Sequence, residues 1–393
     1  MTTMAGIGLS RQEDARRAGS DAATQAMIGI EGPADLVIAF TTDRYDQEAA
    51  VRSIRSVTGS APLIGCCAGG VIAAGDLSTD SITVMALRSE GLHVTLAMEE
   101  GIHDVPHRVG QAVAETLAQH LMATGAEEQP TAVLALADGL TGALTEVVQS
   151  ATDVLGPMYP MVGGGAGDNF RFLKTFQFIN DQIRSDALVA ALLRTPAPIG
   201  IGVAHGWKPV GRPMVVTRSA ANVVYELDGQ PAFEVYRRRW ADEAPQLDQE
   251  GFGAFAMAHP LGLPLIGGEF LIRDPLRAHP DGAIECVAAV PENAVVHMMS
   301  GDKDMLFAAA HTAAERAMDE LAGQPPVAAI VFDCISRLMI LGDEAATEIE
   351  YIRDIIGHET PLIGMFSFGE IAPPPGSGLA AFHNKTVVVC TLA

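Results

Sequence analysis

Apolar residues recur along the chain in two alternating patterns, and this alternation occurs three times. The continuous apolar runs ADLVIAF (34–40), TAVLALAD (131–138) and VAAIVFD (327–333) are typical of strands that are covered on both faces. Each run is followed by a stretch with Ile or Val at positions i, i+3 and i+4 and a Gly at its end, which predicts a helix. The order of strand, helix and strand predicts three βαβ-type units.

A Pro-aliphatic-aliphatic-Gly segment follows each predicted helix. The segments PLIGCCAGGVIA (62–73) and PLIGMFSFGEIA (361–372) match without a gap at an offset of 299 residues. A weaker third copy is PMVGGGAGDN (160–169), and further β-rich stretches follow every copy. We therefore predict an α/β fold of repeated βαβ-type units with mixed sheets, in which two modules share a central cleft.

The Gly-rich turns at the ends of these strands are candidate ligand-binding elements. Backbone N–H groups become available at the carboxyl edge of a sheet, where α/β proteins usually bind ligands. Three such turns could therefore line one cavity. The alternative is that the glycines only permit positive φ or tight packing of strands.

Composition and charge restrict the partners. The chain has 393 residues, of which 48% are apolar and 19% charged, enough for two or more globular units without disorder. Its formal charge of −23 would repel a phosphate backbone and an anionic membrane, and its apolar runs are far shorter than a bilayer span. The N-terminal segment 1–29 has no uninterrupted apolar core and is predicted as a lead-in helix rather than a secretory signal. We expect a cytoplasmic protein with no nucleic-acid or membrane partner.

The cysteines argue against a disulfide framework and a zinc site. They form no CxxC pair and no zinc-type spacing with His, so no metal site is predicted. Gly65-Cys66-Cys67-Ala68-Gly69 does fit the G-x-C-x-G of a nucleophile elbow, and a hydrolase that uses Cys67 is one alternative. A buried or cavity-lining thiol is favoured, because the equivalent residue of the last copy, Phe366, carries no sulfur. No enzymatic step is predicted.

Several motifs together resemble the FIST family. ADLVIAFTTDRYD followed by APLIGCCAGGVI resembles the FIST N pattern, and ANVVYELDGQPAFEVY resembles the opening of FIST C. FDCISRLMILG, PLIGMFSFGEIAP and HNKTVVV resemble the closing motifs of FIST C. The resemblance divides the chain into the lead-in helix at 1–29, a FIST N domain at 30–220 and a FIST C domain at 221–393. Val71 stands where the family tends to have Glu, so that any carboxylate role falls on Glu370.

The resemblance implies a sensory protein that binds a small molecule, such as an amino acid or a similar metabolite. It would act on a separate signalling partner, for example a histidine kinase. Some stand-alone members bind haem and sense nitric oxide, which is a second alternative, although no resident cofactor is predicted. If haem binds, its axial ligand would be sought among three histidines with apolar neighbours, His205, His259 and His297.

Charged residues in apolar, Gly-rich segments are the main candidates for ligand contact. Arg337 and Glu370 would suit the carboxylate and the ammonium group of a zwitterion. The alternative is that they pair with each other or cap local backbone. The complete set of predicted ligand-binding residues is Gly65, Cys66, Cys67, Gly164, Asp168, Asn169, Arg337, Gly364, Ser367, Gly369, Glu370, His383 and Asn384.

Overall fold

Three units with the same order of elements follow one another in the computed structural model, which describes residues 3–124 and 129–393. The first unit consists of β1 (Thr3–Ser10), α1 (Ala15–Ile28), β2 (Leu36–Thr42), α2 (Gln47–Thr58), β3 (Leu63–Ala68), β4 (Gly70–Ala73), β5 (Asp76–Ser78) and β6 (Ile82–Ser89). The second consists of β7 (His93–Glu100), α3 (Pro106–Thr124), β8 (Thr131–Asp138), α4 (Leu144–Leu155), β9 (Met161–Ala166), β10 (Gln177–Ile179), β11 (Gln182–Arg184) and β12 (Ala187–Arg194).

The third unit is interrupted by an insertion after its first strand, β13 (Ile199–Ala204). This inserted module, residues 208–300, contains β14 (Lys208–Ala220), β15 (Val223–Leu227), β16 (Gln230–Pro231), α5 (Ala232–Arg239), α6 (Phe252–Ala256), β17 (Leu261–Pro264), β18 (Phe270–Arg273), β19 (Pro275–Ala278), β20 (Ile284–Cys286) and β21 (Val295–Ser300). The third unit continues with α7 (Lys303–Asp319), β22 (Ala328–Cys334), α8 (Ile335–Leu341), a 3-10 turn (Gly342–Glu344), α9 (Ala345–Ile356), β23 (Leu362–Ser367), β24 (Glu370–Ala372), β25 (Ala381–His383) and β26 (Val387–Leu392).

Each unit contributes a hairpin to the sheet of another unit. The three sheets have the strand orders β1-β6-β2-β3-β10-β11, β7-β12-β8-β9-β24-β25 and β13-β26-β22-β23-β4-β5. In each sheet the two strands of the βαβ element pair in parallel and the others pair antiparallel. The predicted mixed sheets and repeated βαβ-type units are confirmed. The cyclic exchange of hairpins joins the three units into one structure, which we call the repeat body.

The three sheets of the repeat body enclose one apolar core. Residues from all three units contribute to it, among them Phe40, Leu134 and Phe332. Equivalent positions of the repeat meet across this core, since Cys66 Sγ lies 3.5 Å from Met365 Sδ at the repeat offset of 299 residues. The helices cover the outer faces of the sheets and form a separate apolar layer on each. The central strands are therefore buried on both faces, which explains their continuous apolar runs.

The N-terminal segment differs from the predicted lead-in helix. All eight residues of β1 pair with β6, and α1 begins only after Asp14, whose side chain caps the helix by accepting from Arg17 N. Gly6 and Gly8 on β1 face α1 so closely that a Cβ on either would lie 2.0 Å from a helix carbonyl oxygen. The alternation of small buried residues with larger ones marks a strand here. Residues 1 and 2 of the predicted segment lie outside the described residues.

The inserted module has its own sheet and its own apolar core. Its strands follow the order β18-β17-β21-β14-β15-β20-β19, with β16 paired to β15. Tyr236, Trp240 and Phe252 lie in its core, and a second cluster that includes Trp207 and Leu306 packs it against α7. The boundary between residues 220 and 221 lies at the turn from β14 to β15, within this sheet. Among the helices of the described residues, none combines the length and apolar character that crossing a membrane requires.

Candidate functional site

The Gly-rich corners of the three units meet at one end of the repeat body. These corners are the turns that follow β3, β9 and β23, at residues 68–70, 166–168 and 367–369. One amide of each corner donates to a carbonyl of another, in the pairs Gly69 N to Phe366 O at 2.9 Å, Phe368 N to Gly165 O at 2.9 Å and Gly167 N to Cys67 O at 3.1 Å. The corners converge, but these amides bond one another and are not free to surround a ligand. This corrects the expectation that the amides of all three turns surround a ligand, although Phe368 and Gly369 of the third corner do line a cavity.

The glycines before the corners permit close packing of strands. An added Cβ would lie 2.1 Å from a neighbouring strand's carbonyl oxygen at Gly65 and 2.6 Å from one at Gly364. At Gly164 it would lie 2.9 Å from the Cβ of Ser367. Such distances leave no room for a side chain, and still less for a ligand, so tight packing accounts for these three glycines.

A cavity of about 340 Å³ lies beside the corners, where the inserted module meets the repeat body. The repeat body contributes Leu140, Phe170, Phe172, Cys334, Ser336, Met339, Phe368 and Asn384 to its lining. The inserted module contributes Asn222, Met257, Asp274, Leu276 and Cys286. Two of the predicted ligand-binding residues, Gly369 and Asn384, line this cavity. Its volume lies within the range of small-molecule sites.

An aromatic loop forms one wall of the cavity. The rings of Phe170 and Phe172 lie 6.0 and 5.6 Å from that of Phe368. Both loop residues have positive φ, at 62° and 51°, as does the exposed Asn169 at 52°. Asp168 holds this uncommon conformation, because its carboxylate accepts from the backbone N–H of Phe172 and of the next two residues at 2.6–3.1 Å. The predicted residue Asp168 therefore positions the wall rather than facing the cavity.

A buried ion pair joins the module to the body at the floor of the cavity. Asp274 Oδ2 of the module lies 3.0 Å from Lys385 Nζ, which follows β25 and is fully buried. The Lys385 ammonium also lies over the ring of Trp207, 5.6 Å from its centre. Burial raises the pKa of Asp274, while Lys385 and a hydrogen bond from Ser336 oppose the rise. The two charges balance each other where the two bodies meet.

Arg337 lies in a buried network behind the cavity. Its guanidinium pairs with Glu348, lies 3.1 Å from Asp333 Oδ1, and donates to the carbonyl oxygens of His205 and Leu306 at 2.9 and 3.0 Å. Burial raises the pKa of Asp333 well above its usual range, and the neighbouring Glu348 adds to the rise. This rise favours the neutral form of Asp333 beside the Arg337–Glu348 pair.

Glu370 has different partners from those expected. Its carboxylate accepts from Ser367 Oγ at 2.6 Å and from Thr386 N and Oγ1 at 3.1 and 2.7 Å. Burial raises its pKa to about 7, against the effect of these hydrogen bonds. His383 is buried beside it and donates from Nε2 to Ala372 O at 3.0 Å, and burial lowers the pKa of His383 to about 4. Because Arg337 and Glu370 have other partners and neither lines the cavity, the predicted zwitterion clamp is not formed.

The Cys66 and Cys67 thiols are core groups. β3 continues into the hairpin of β4 and β5 rather than into a helix, so the strand-to-helix geometry of a nucleophile elbow is missing at this turn. Cys67 Sγ accepts from Phe176 N at 3.0 Å, and burial raises the pKa of both thiols well above the usual value. A protonated, enclosed thiol is a poor nucleophile.

Thiol labelling tests this arrangement. All five cysteines are buried, so we expect native protein to react with Ellman's reagent only on the slow timescale of unfolding. Urea-unfolded protein should react at all five thiols and release five equivalents of the thionitrobenzoate product. A rapidly reacting thiol in the native protein that disappears in Cys67→Ala would contradict the buried state.

The three candidate haem-ligand histidines occupy separate places. His205 accepts from Trp207 N at 2.9 Å through Nδ1, and burial lowers its pKa to about 4. His259 stacks on Phe255 with ring centres 4.1 Å apart, and His297 lies edge-on to an aromatic ring in the inserted module. The cavity lining contains none of the three histidines. Within residues 3–124 and 129–393, no group of three or more His, Cys, Asp or Glu could hold a metal ion.

Comparison with known families identifies the chain. The model of the FIST N domain matches residues 35–230, and that of the FIST C domain matches residues 232–373. The chain belongs to the FIST family. FIST domains are generally sensory domains of signal transduction that bind small ligands. The junction of the two FIST matches lies where β16 leads into α5, so both matches extend into the inserted module.

Two mycobacterial relatives match almost the whole chain. An uncharacterized protein of Mycobacterium tuberculosis is 28% identical over 401 residues, which cover 97% of each chain. One of Mycobacterium bovis is 26% identical over 403 residues, covering 97% of this chain and 96% of the relative. A solved cyanuric acid hydrolase from A. caulinodans overlaps 49% of this chain and 72% of its own at 14% identity. Its TM-score of 0.29 is too low to support an argument.

The FIST motifs lie close to the cavity, but most of the residues that line it are not part of these motifs. Lys385 is the third residue of the HNKT motif, next to the predicted His383 and Asn384, and a lysine before an apolar strand was the available signal. Phe170 and Phe172 follow the Gly-rich GGGAGDN segment, but nothing in their spacing indicates positive φ. Asp274 lies in the module and meets Lys385 only after folding, so no local pattern could have paired them.

Proposed function

We propose that this FIST protein senses a small, largely apolar ligand in the cavity between the repeat body and the inserted module. The observation that supports this most is the position of the cavity, because both bodies line it and the Asp274–Lys385 pair bridges them at its floor. A ligand there contacts both bodies at once. Its binding would therefore favour one arrangement of the module relative to the body.

The lining favours an apolar ligand over an amino acid. Three phenylalanine rings, the side chains of Met257 and Met339 and several aliphatic residues line the wall. A zwitterion would need a free cation and a free anion side by side, whereas the charged groups at the floor already pair with each other. An amino acid is therefore the weaker candidate for this cavity.

Ligand binding would be transmitted to a partner protein through a change in how the inserted module packs on the repeat body. Besides the ion pair and the Ser336–Asp274 hydrogen bond, polar contacts between the module and the body include Arg316 Nη2 with Glu269 Oε1 at 2.6 Å and Arg273 Nη1 with Phe382 O at 3.2 Å. These few polar contacts can shift with the apolar packing around the cavity. A separate signalling protein, for which a histidine kinase is the candidate that the family suggests, would read the exposed surface that results. The proposal includes no chemical step.

A haem sensor fits this cavity less well. The cavity lining includes none of His205, His259 and His297. The cavity therefore does not fit a haem whose iron is bound by any of these histidines. Two thiols do line it, at Cys286 and Cys334, but burial raises the pKa of both, Cys286 to about 12, and disfavours the thiolate that would bind iron.

A variant that fills the mouth of the cavity tests the proposal. Leu276 lines the cavity and is 45% exposed, so Leu276→Trp should fill the mouth without disturbing the core. The probes are five compounds that share a phenyl group, namely 4-phenylbutan-2-one, 3-phenylpropanamide, 3-phenylpropanoate, 3-phenylpropylamine and phenylalanine. We expect at least one probe to raise the Tm of the wild type, since a ligand at 100 times its Kd stabilises the fold by about 2.7 kcal/mol. Leu276→Trp should raise the Kd of that probe roughly tenfold.

The matched control is Ile266→Trp, an equal change at a fully exposed position of the same module. It should bind the probes as the wild type does. The proposal fails if none of the probes stabilises the wild type, or if both Trp variants bind equally well.

A further inference from the structure

Asn384 carries a buried acceptor at the cavity wall that has no partner among the described residues. Its side chain lines the cavity and is 1% exposed. The Nδ2 donates to His383 O at 3.0 Å, while Oδ1 receives no hydrogen bond from any residue that the structure describes. A buried carbonyl oxygen without a donor costs free energy, which a bound molecule with an N–H or O–H group would recover.

The balance of charge at the floor excludes a charged head group. Asp274 and Lys385 already neutralise each other at 3.0 Å. A ligand carboxylate would bring a second negative charge next to the Asp274 carboxylate and would offer only acceptors to Asn384 Oδ1. A ligand ammonium would leave the buried site with an unbalanced positive charge.

The remaining lining restricts the body of the ligand. Phe170, Phe172 and Phe368 form a continuous aromatic wall with ring centres 5.6–6.1 Å apart, and Met257 and Met339 add adaptable apolar side chains. A volume of about 340 Å³ lies at the small end of the range for small-molecule sites, so it suits a compact, ring-sized ligand.

We propose that the ligand of this cavity is a neutral molecule with an apolar, ring-sized body and one amide or hydroxyl group that donates a hydrogen bond to Asn384 Oδ1. This inference rests on the proposed function, since it names the ligand class of the same cavity. It makes Asn384 the residue that determines specificity, and the aromatic wall the part that supplies most of the affinity.

A matched pair of probes separates the ligand class from the existence of the site. 3-Phenylpropanamide and 4-phenylbutan-2-one have the same number of non-hydrogen atoms and the same phenyl body, but the ketone has no donor. Titration calorimetry on the whole protein should give a Kd for the amide that is roughly tenfold lower than that for the ketone. 3-Phenylpropanoate and 3-phenylpropylamine should both bind more weakly than the amide.

Two variants at Asn384 assign the preference to this side chain. Asn384→Leu keeps the size of the residue and removes the acceptor, so the amide should lose its roughly tenfold advantage while the ketone keeps its Kd. Asn384→Asp adds a charge, so the order should shift in favour of 3-phenylpropylamine. Thermal unfolding of each variant establishes that it is folded.

The outcomes distinguish the two levels of the hypothesis. If amide and ketone bind the wild type equally, or if the carboxylate or the amine binds more tightly than the amide, the ligand class is wrong and the cavity remains a binding site. If the advantage of the amide persists in Asn384→Leu, Asn384 is not the acceptor. If none of the five probes, phenylalanine included, binds the wild type, the proposed function fails together with this inference, whereas binding of phenylalanine alone would contradict only the ligand class.

Discussion

Replacing Arg337 with Met is expected to lower the free energy of unfolding by about 3–5 kcal/mol. Arg337 is fully buried, and its guanidinium pairs with Glu348 and contacts Asp333. The variant would leave two buried carboxyl groups without their cation and would remove the hydrogen bonds from the guanidinium to the carbonyl oxygens of His205 and Leu306. Removing one partner of a buried ion pair is costly because the remaining charge cannot be hydrated.

Urea unfolding at neutral pH measures this loss, with Arg52→Met as the matched control. Arg52 pairs with Glu48 at 2.9 Å on the outer helix α2, where the two side chains are 75% and 67% exposed. Water screens such a pair, so the control should change the free energy of unfolding by no more than about 1 kcal/mol. Equal losses in the two variants would show that the Arg337 network does not stabilise the fold. They would also reopen a role for Arg337 in ligand contact.

The repeat could be predicted from the sequence because local patterns of apolar and polar residues specify it. The apolar runs of β2, β8 and β22 and the periodic helices after them depend only on residues that are neighbours in the chain. The segments at 62–73 and 361–372 retain their equivalence in space, where Cys66 and Met365 touch. Local order of this kind is enough to predict βαβ-type units and the mixed sheets.

The exchange of hairpins could not be predicted in the same way. β4 pairs with β23, almost 300 residues further along the chain, and β24 pairs with β9 of the preceding unit. Short strands such as β10 and β24 fit any sheet edge of the right register, so their own residues do not specify a partner. The same exchange of hairpins turns the corners toward one another. The amides that the sequence suggested for ligand binding therefore donate to carbonyl oxygens of neighbouring corners.

The candidate site breaks the symmetry of the repeat. Gly69 and Gly167 face each other at the corners, but the third unit has Phe368 at the equivalent position, and its ring extends into the cavity wall. The inserted module also belongs to the third unit alone, so it covers only this side of the body. Sequence comparison between repeats indicates where the units agree, whereas the site forms where they differ. Glu370 is a second such difference, because the equivalent residues are Val71 and Asn169.

Glu370→Gln should remove a pH dependence of stability that the wild type shows between about pH 4.5 and pH 7. Burial raises the pKa of Glu370 in the folded state from 4.5 to about 7. A folded-state pKa above the unfolded value means that the neutral form stabilises the fold. That stabilisation is fully present below the unfolded pKa and is lost as pH rises through the folded pKa. The loss amounts to about 3 kcal/mol for this difference in pKa.

Gln is a suitable replacement because it mimics the protonated carboxyl. Its amide oxygen can accept from Thr386 N and Oγ1, and its NH₂ can donate to Ser367 Oγ. The single hydroxyl hydrogen of Ser367 is then free to donate to Asp333 O, 3.3 Å away. Urea unfolding of wild type and Glu370→Gln at pH 5, 6, 7 and 8 should show the wild type losing about 3 kcal/mol relative to the variant as pH rises, with little further change above pH 8. Glu90→Gln, at an exposed position, is the control and should follow the wild type throughout. A wild type that gains stability relative to Glu370→Gln as pH rises would mean that Ser367 and Thr386 outweigh burial and lower the pKa of this carboxyl.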